Sequence, residues 1–344
     1  MPAATAHTYL KTRASLMAKQ LFDQQQLNEL LESSLDSLQQ RFDLTELTKD
    51  RDDRSALNRA AERALIGTLL YELAVLLRPL DGASRDILIH WTRKFELFNL
   101  KALIRGKGQN LSADQIKHNL FPLPALISLP HDRLLEAEGI LELLRLLEQG
   151  PYADIARQAR QVYEEHNEPF SLDAAIDHSY YTSLLRRIRR AAPEEGRSLS
   201  TLMGTLIDHQ NLIWLLRYRF NYGLAPSETY YLLVPFGRRL HRERLKALVE
   251  LDGLEQVLAA LPGRLAQAMR GINNLVDAEQ ALEQETIDQA RHCLRYSRSA
   301  VTRSLAYLAL REIDLKKLYA ILQGKVLNLD PDLIRKAARV PVPG

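Results

Sequence analysis

Apolar residues along this chain recur in three- and four-residue steps almost throughout, which is the period of an amphipathic helix. In "LNELLESSLDSLQQRF", Leu27, Leu30, Leu31, Leu35 and Leu38 make one stripe. "ILELLRLLEQG" repeats the pattern and stops at Gly150, which is followed by Pro151, a strong terminator. Segments 172–191, 242–261 and 277–322 read the same way. Alternating β-branched runs are scarce, and the one short candidate, "YYLLVPF", carries Pro235 near its end. The pattern predicts an all-α protein. Breaks between helices are expected at Pro122, Pro124 and Pro130, at Gly150–Pro151, from Pro193 to Gly196, from Pro235 to Gly237, and at Pro262–Gly263. The closing "VPVPG" reads as an unpacked tail.

One stretch of this pattern occurs three times. "FELFNLKALIRGKGQNLSADQI" (95–116) is echoed by "IDHQNLIWLLRYRFNYGLAPSE" (207–228) and "IDLKKLYAILQGKVLNLDPDLI" (313–334). Glu96, Asp208 and Asp314 stand in register, separated by 112 and then 106 residues. Leu100, Leu212 and Leu318 align, as do Leu103, Leu215 and Ile321. Arg105, Arg217 and Gln323 follow, then Lys107, Arg219 and Lys325, with Gly106, Tyr218 and Gly324 between them. Leu111, Leu224 and Leu329 line up after a connector that is one residue longer in the second copy. Ser112, Asp330 and (one step on) Ser227 suit a helix N-cap, and Pro331 suits a first helical position.

Each copy therefore reads as a helix with an acid near its start, a cation near its end, a tight turn and a second, capped helix. A cation there meets the negative end of the helix dipole. The near-equal spacing predicts three homologous helical units, 1–120, 121–230 and 231–344, with the N-terminal part of the first free to pack with the third. The period is much longer than that of TPR or HEAT repeats, so closure about a pseudo-threefold axis is expected in place of a solenoid. Arg105, Lys107, Arg217, Arg219 and Lys325 are candidate contacts for an acidic partner surface, or else helix-end charges in solvent. Glu96, Asp208 and Asp314 are candidate structural residues that hold the turn from within the chain.

The ordered combination of "NLKALIR" and "NLIWLLR", "LSADQI" and "LAPSE", the three units and the opening "YLKTRASLMAKQLFDQQQLNELLESSLDSLQQ" resembles one family across essentially the whole chain. It is the V-type and A-type ATPase rotor family whose members are labelled C in prokaryotic enzymes and d in eukaryotic ones. The resemblance implies a funnel of three helical domains without catalysis or a cofactor of its own. Its partners would be the membrane proteolipid ring and the central stalk subunits, with no nucleic acid. It would sit peripherally on the cytoplasmic face of the membrane and couple stalk to ring during proton or sodium ion transport. The sequence departs from the family pattern at "VPFGRRL", where a Pro-Gly-Gly-like turn is expected.

Composition and motifs narrow the alternatives. The 344 residues carry 46 Lys and Arg against 43 Asp and Glu, too small a basic excess to favour a nucleic-acid wrapper. The single Cys293 excludes a disulfide within the chain or a thiolate metal cluster. "RGKGQ" and "QGKVL" do not fit a phosphate-binding loop, and no metal-binding histidine spacing or G-x-S-x-G elbow occurs. The longest apolar stretch, Ala64 to Leu77, is too short to span a bilayer and contains Glu72. Two basic clusters, "RRIRR" (186–190) and "GRRLHRERLK" (237–246), read as solvated helix faces or as contacts to an acidic protein. A soluble helical adaptor or RNA-binding scaffold is the alternative reading of the whole.

Overall fold

The computed structural model describes residues 3–44, 54–166 and 169–341. It is all-α: no strand occurs among the described residues, and Phe236 and His241 form an isolated bridge. In chain order the helices begin with α1 (Ala3–Met17), α2 (Gln24–Glu32), α3 (Leu35–Arg41) and α4 (Arg54–Leu77). Then come α5 (Gly82–Gly108), α6 (Ala113–His118), α7 (His131–Glu136), α8 (Ile140–Leu147), α9 (Ala153–His166) and α10 (Pro169–Glu195). They continue with α11 (Arg197–Leu216), α12 (Pro226–Leu232), α13 (Arg242–Val249), α14 (Leu254–Ala259) and α15 (Gly263–Ala268). The last are α16 (Leu275–Tyr296), α17 (Ala300–Val326) and α18 (Pro331–Ala337).

The chain divides into two compact units, Met1–Leu80 with Ala290–Gly344, and Asp81–Gln289. The first joins the two ends of the sequence around α17, which packs against α1 and α4 and touches α2, α3 and α18. Ser299 opens α17 by accepting from the Thr302 N–H at 2.9 Å. Leu305, Leu308, Leu318, Ile321 and Leu322 then bury one face after another, each contributing about 1.5–3 kcal/mol when withdrawn from water. In the second unit α10 packs on α9, α5 and α11. A core around Ile207, Leu212 and Leu215 of α11 also takes in Leu240, Leu245, Val257 and Leu282.

Local chemistry breaks the periodic pattern where periodicity alone runs on. The leucine stripe of 27–38 is two helices, because the Ser34 hydroxyl accepts from the Ser37 N–H at 3.2 Å and starts α3 afresh. The run 277–322 is likewise two helices, parted ahead of Ser299. Conversely, α10 continues through Pro193 to Glu195, and the break falls at Gly196, whose φ of 78° is left-handed. The closing tail is packed at its start: Val340 is buried, and the Pro341 carbonyl accepts from Gln24 and Arg335. Residues 342–344 of that tail lie outside the described residues.

Candidate functional site

The repeated hairpin has the same internal wiring in each copy. In the first, α5 ends at Gly108, Asn110 takes a φ of 54°, and the Leu111 N–H returns to the Gly106 carbonyl at 2.9 Å. The third copy matches it, with Asn328 at a φ of 54° and Leu329 donating to Gly324 at 2.9 Å. In both, the absent side chain matters. A Cβ on Gly106 would lie 2.4 Å from Ile116, and one on Gly324 would lie 2.6 Å from Ile334. The second copy has Tyr218 and Thr229 at these two positions, both buried, so a large–small pair replaces a small–large one. Its extra residue is taken up by a π-helical turn over Arg217–Asn221, where the Tyr222 N–H reaches back five residues to the Arg217 carbonyl. Gly223, at a φ of 68°, then supplies the left-handed residue.

Ser112 and Asp330 cap α6 and α18 as expected, accepting from Gln115 and Asp332. Ser227 does not cap α12. Ala225 holds that place, with Pro226 at the first helical position, and the Glu228 carboxylate accepts from the Ala225 N–H at 3.0 Å. The proline sets the start here, so Ser227 falls two residues past the cap, inside the helix.

The three register carboxylates all tether a distant backbone segment. Glu96 accepts from the Leu129 N–H at 2.5 Å, and its same oxygen lies 2.7 Å from His131 Nε2. Asp208 accepts from the Arg239 and Leu240 N–H groups at 2.7 and 2.9 Å. Asp314 accepts from the Phe22 N–H at 2.8 Å. The first two tethers reach forward 33 and 31–32 residues, whereas the third reaches back across 292 to the start of the chain. A short helix follows each tethered segment: α7, α13 and α2.

The second row of cations closes the same loops from the other end. Lys107 donates to the Leu135 and Ala137 carbonyls at 2.6 Å each, Arg219 to Val249 at 2.8 Å, and Lys325 to Leu31 at 2.7 Å. Each therefore meets carbonyls at or near the end of the short helix whose beginning the carboxylate has fixed. Burial lowers the Lys325 pKa from its usual value. Arg105 and Arg217 point outward: Arg105 lies 3.7 Å from Asp173, and Arg217 pairs with Glu279. Two further residues complete the arrangement. Asn99 exchanges both amide bonds with the Phe121 backbone at 2.7 and 2.9 Å, and Asn211 does the same with Val234 at 2.8 Å. Their signal was the asparagine shared by "NLKALIR" and "NLIWLLR"; Lys317 stands there in the third copy.

Burial pushes the Asp208 carboxyl up to about 6 even though two backbone N–H donors pull it down, and burial likewise raises Asp314 to about 6. A carboxyl with a raised native pKa binds more protons folded than unfolded between pH ~3.8 and ~6. Its contribution to stability is complete below ~3.8 and is lost as pH rises through ~6. The cost of Asp208→Asn, measured by urea unfolding, should therefore be greater at pH 4 than at pH 7 by on the order of 1–3 kcal/mol. An equal cost at both values would refute this account of Asp208.

Among the described residues, no group of three His, Cys, Asp or Glu is placed to hold a metal ion. None of the helices described is long and apolar enough to cross a membrane. Polar groups repeated three times, spent mostly on bracing their own hairpins, define a class of protein: an all-helical protein built around a thrice-repeated hairpin. The chain belongs to the ATP synthase (C/AC39) subunit family, whose model matches residues 10–337. It is 28% identical to the C subunit of the A-type ATP synthase of Methanocaldococcus jannaschii, over 96% of this chain and 85% of that one. The C subunit of the Thermococcus kodakarensis A-type ATP synthase is 24% identical, over 96% and 90% respectively. Its namesake from Methanothermobacter thermautotrophicus is 25% identical, over 92% and 83%.

Proposed function

We propose that this chain is the non-catalytic rotor socket of a V/A-type ATPase or synthase, seated peripherally on the cytoplasmic face of the membrane between the proteolipid ring and the central stalk. Three like units, 1–120, 121–230 and 231–344, would surround a pseudo-threefold axis as a funnel. The observation that carries this reading is the threefold wiring itself, together with membership of an ATP synthase subunit family over residues 10–337. A part that transmits torque needs stiff, self-braced walls, and each hairpin is fastened at both ends of its loop by a buried carboxylate and a half-buried cation.

Within this reading the five cations divide. Lys107, Arg219 and Lys325 are committed to carbonyls of their own chain, so their contribution to a partner is indirect, through the shape of the hairpin. Arg105 and Arg217 are exposed at equivalent positions and are the direct contacts to an acidic stalk surface. Their pairs with Asp173 and Glu279 are of the surface kind, worth about 0–1 kcal/mol.

The test is a pull-down of tagged protein from gently solubilised membranes of its source cell, with bound proteins identified by mass spectrometry. A very hydrophobic proteolipid and coiled-coil stalk subunits should be recovered. Arg105→Glu with Arg217→Glu should cut stalk recovery about tenfold and leave the proteolipid in place, since like-charge contacts cost several kcal/mol at an interface. Recovery of soluble proteins or RNA alone would instead establish the adaptor reading.

A further inference from the structure

The two basic clusters noted in the sequence converge on one feature of the second unit. An open cleft of about 430 Å³ lies between the end of α10, the start of α11 and the loop before α13. Arg189 comes from "RRIRR", Arg238 from "GRRLHRERLK", and Arg197 opens α11. Ser200 and Thr201 add hydroxyls, while Ile188 and Phe236 supply an apolar wall. No carboxylate is among the lining residues described.

The site is built and its charge is unspent. Gly204 and Gly237 let the loop lie directly on α11: a Cβ on Gly204 would sit 2.7 Å from the Arg238 Cβ. Among the described residues, Arg238 donates only to neutral oxygens, Thr205 Oγ1 at 3.3 Å and Gln289 Oε1 at 3.1 Å. Arg189 sits over the Phe236 ring, its Cζ 4.2 Å from the ring centre, which holds the guanidinium without neutralising it. Arg197 has no carboxylate partner among the described residues. Gly196 precedes α11 and has no capping side chain, so the positive end of a 20-residue helix faces the same space.

Three planar forks around one opening suit a doubly charged oxyanion, to which arginine bonds in pairs and more strongly than to a neutral acceptor. The apolar wall beside them suits a hydrocarbon or aromatic body on the same molecule. We propose that this cleft binds a phosphomonoester with an apolar body, whether a soluble metabolite or the headgroup of a phosphomonoester lipid. Arg189, Arg197 and Arg238 hold the phosphate, and Phe236 and Ile188 receive the body.

The test uses the full chain. Phenyl phosphate is titrated in by calorimetry, and flotation is measured with phosphatidylcholine vesicles with and without phosphatidic acid. Saturable binding of phenyl phosphate identifies a soluble ligand, and binding only to phosphatidic acid vesicles identifies the lipid headgroup. In either arm Arg197→Ala and Arg238→Gln should weaken binding about tenfold. The glutamine keeps a donor for Thr205 and Gln289, so the loop stays in place. Arg190→Ala, exposed outside the cleft, should stay within about twofold of wild type. No saturable binding in either arm, or equal weakening by all three substitutions, overturns the proposal.

Discussion

Replacing Glu72 by alanine should destabilise the first unit by about 3–5 kcal/mol, the largest loss expected from any single polar substitution in it. In the sequence this carboxylate only interrupts the longest apolar stretch. In the structure it is 6% exposed, facing Arg311, which is 8% exposed. Arg311 Nε donates to one carboxylate oxygen at 3.1 Å, and the Tyr307 hydroxyl donates to the other at 2.7 Å. Burial first, then the hydrogen bond to Glu72 and the Glu72 charge, push the Tyr307 phenol up, so it remains a donor across the working pH range. Removing the carboxylate leaves a buried guanidinium whose hydrogen-bond and ring contacts among the described residues are the Gln20 carbonyl at 3.2 Å and the face of Phe22 at 5.7 Å, with the Asp314 carboxyl the charge that still acts on it. Urea unfolding at neutral pH reads the loss. The double substitution Glu72→Leu, Arg311→Met should recover most of it, because the desolvation cost of both charges disappears together. A Glu72→Ala cost below about 1 kcal/mol would place the pair in the same class as surface bridges and sink the argument.

The register of the three hairpins was legible because it rests on side chains. Glu96, Asp208 and Asp314, the cations at 107, 219 and 325, and the turn asparagines and glycine all carry their chemistry in the sequence. Their destinations were not legible, because the other half of each bond is backbone. Nothing in the letters of Leu135, Ala137, Val249 or Leu31 marks a carbonyl that awaits a cation. The third hairpin was the hardest case. Asp314 does not reach forward 31–33 residues as the first two carboxylates do, and its partner is Phe22 instead. Helix ends at Ser34 and Ser299 were hidden for another reason: a single serine hydroxyl outweighs an apolar period that continues undisturbed on both sides. The arginine cleft was half visible, as two basic clusters whose convergence depends on Gly204 and Gly237 admitting a loop to the surface of α11.

Gly237→Ala should cost at least about 2–4 kcal/mol, unusually much for a change that adds one carbon to a loop. The backbone here does not require glycine through a left-handed φ, since Gly237 is not among the residues with positive φ. The requirement is space. An added Cβ would lie 2.0 Å from Asp208 Oδ1 and 2.8 Å from the Leu240 carbonyl. The carboxylate cannot retreat cheaply, because its two oxygens accept from the Arg239 and Leu240 N–H groups at 2.7 and 2.9 Å. The loop cannot retreat either without drawing Leu240 out of the core. Either movement leaves buried N–H groups unpaired, at about 1–3 kcal/mol each. Because the clash and the tether are one contact, the two losses should not add. Asp208→Ala removes the obstacle along with the bonds, so adding Gly237→Ala to it should cost about 1–3 kcal/mol less than adding it to wild type. A double-mutant cycle by urea unfolding measures that coupling. Strict additivity would mean that the loop relaxes around the new methyl group, and that Asp208 does not set where the chain passes over α11.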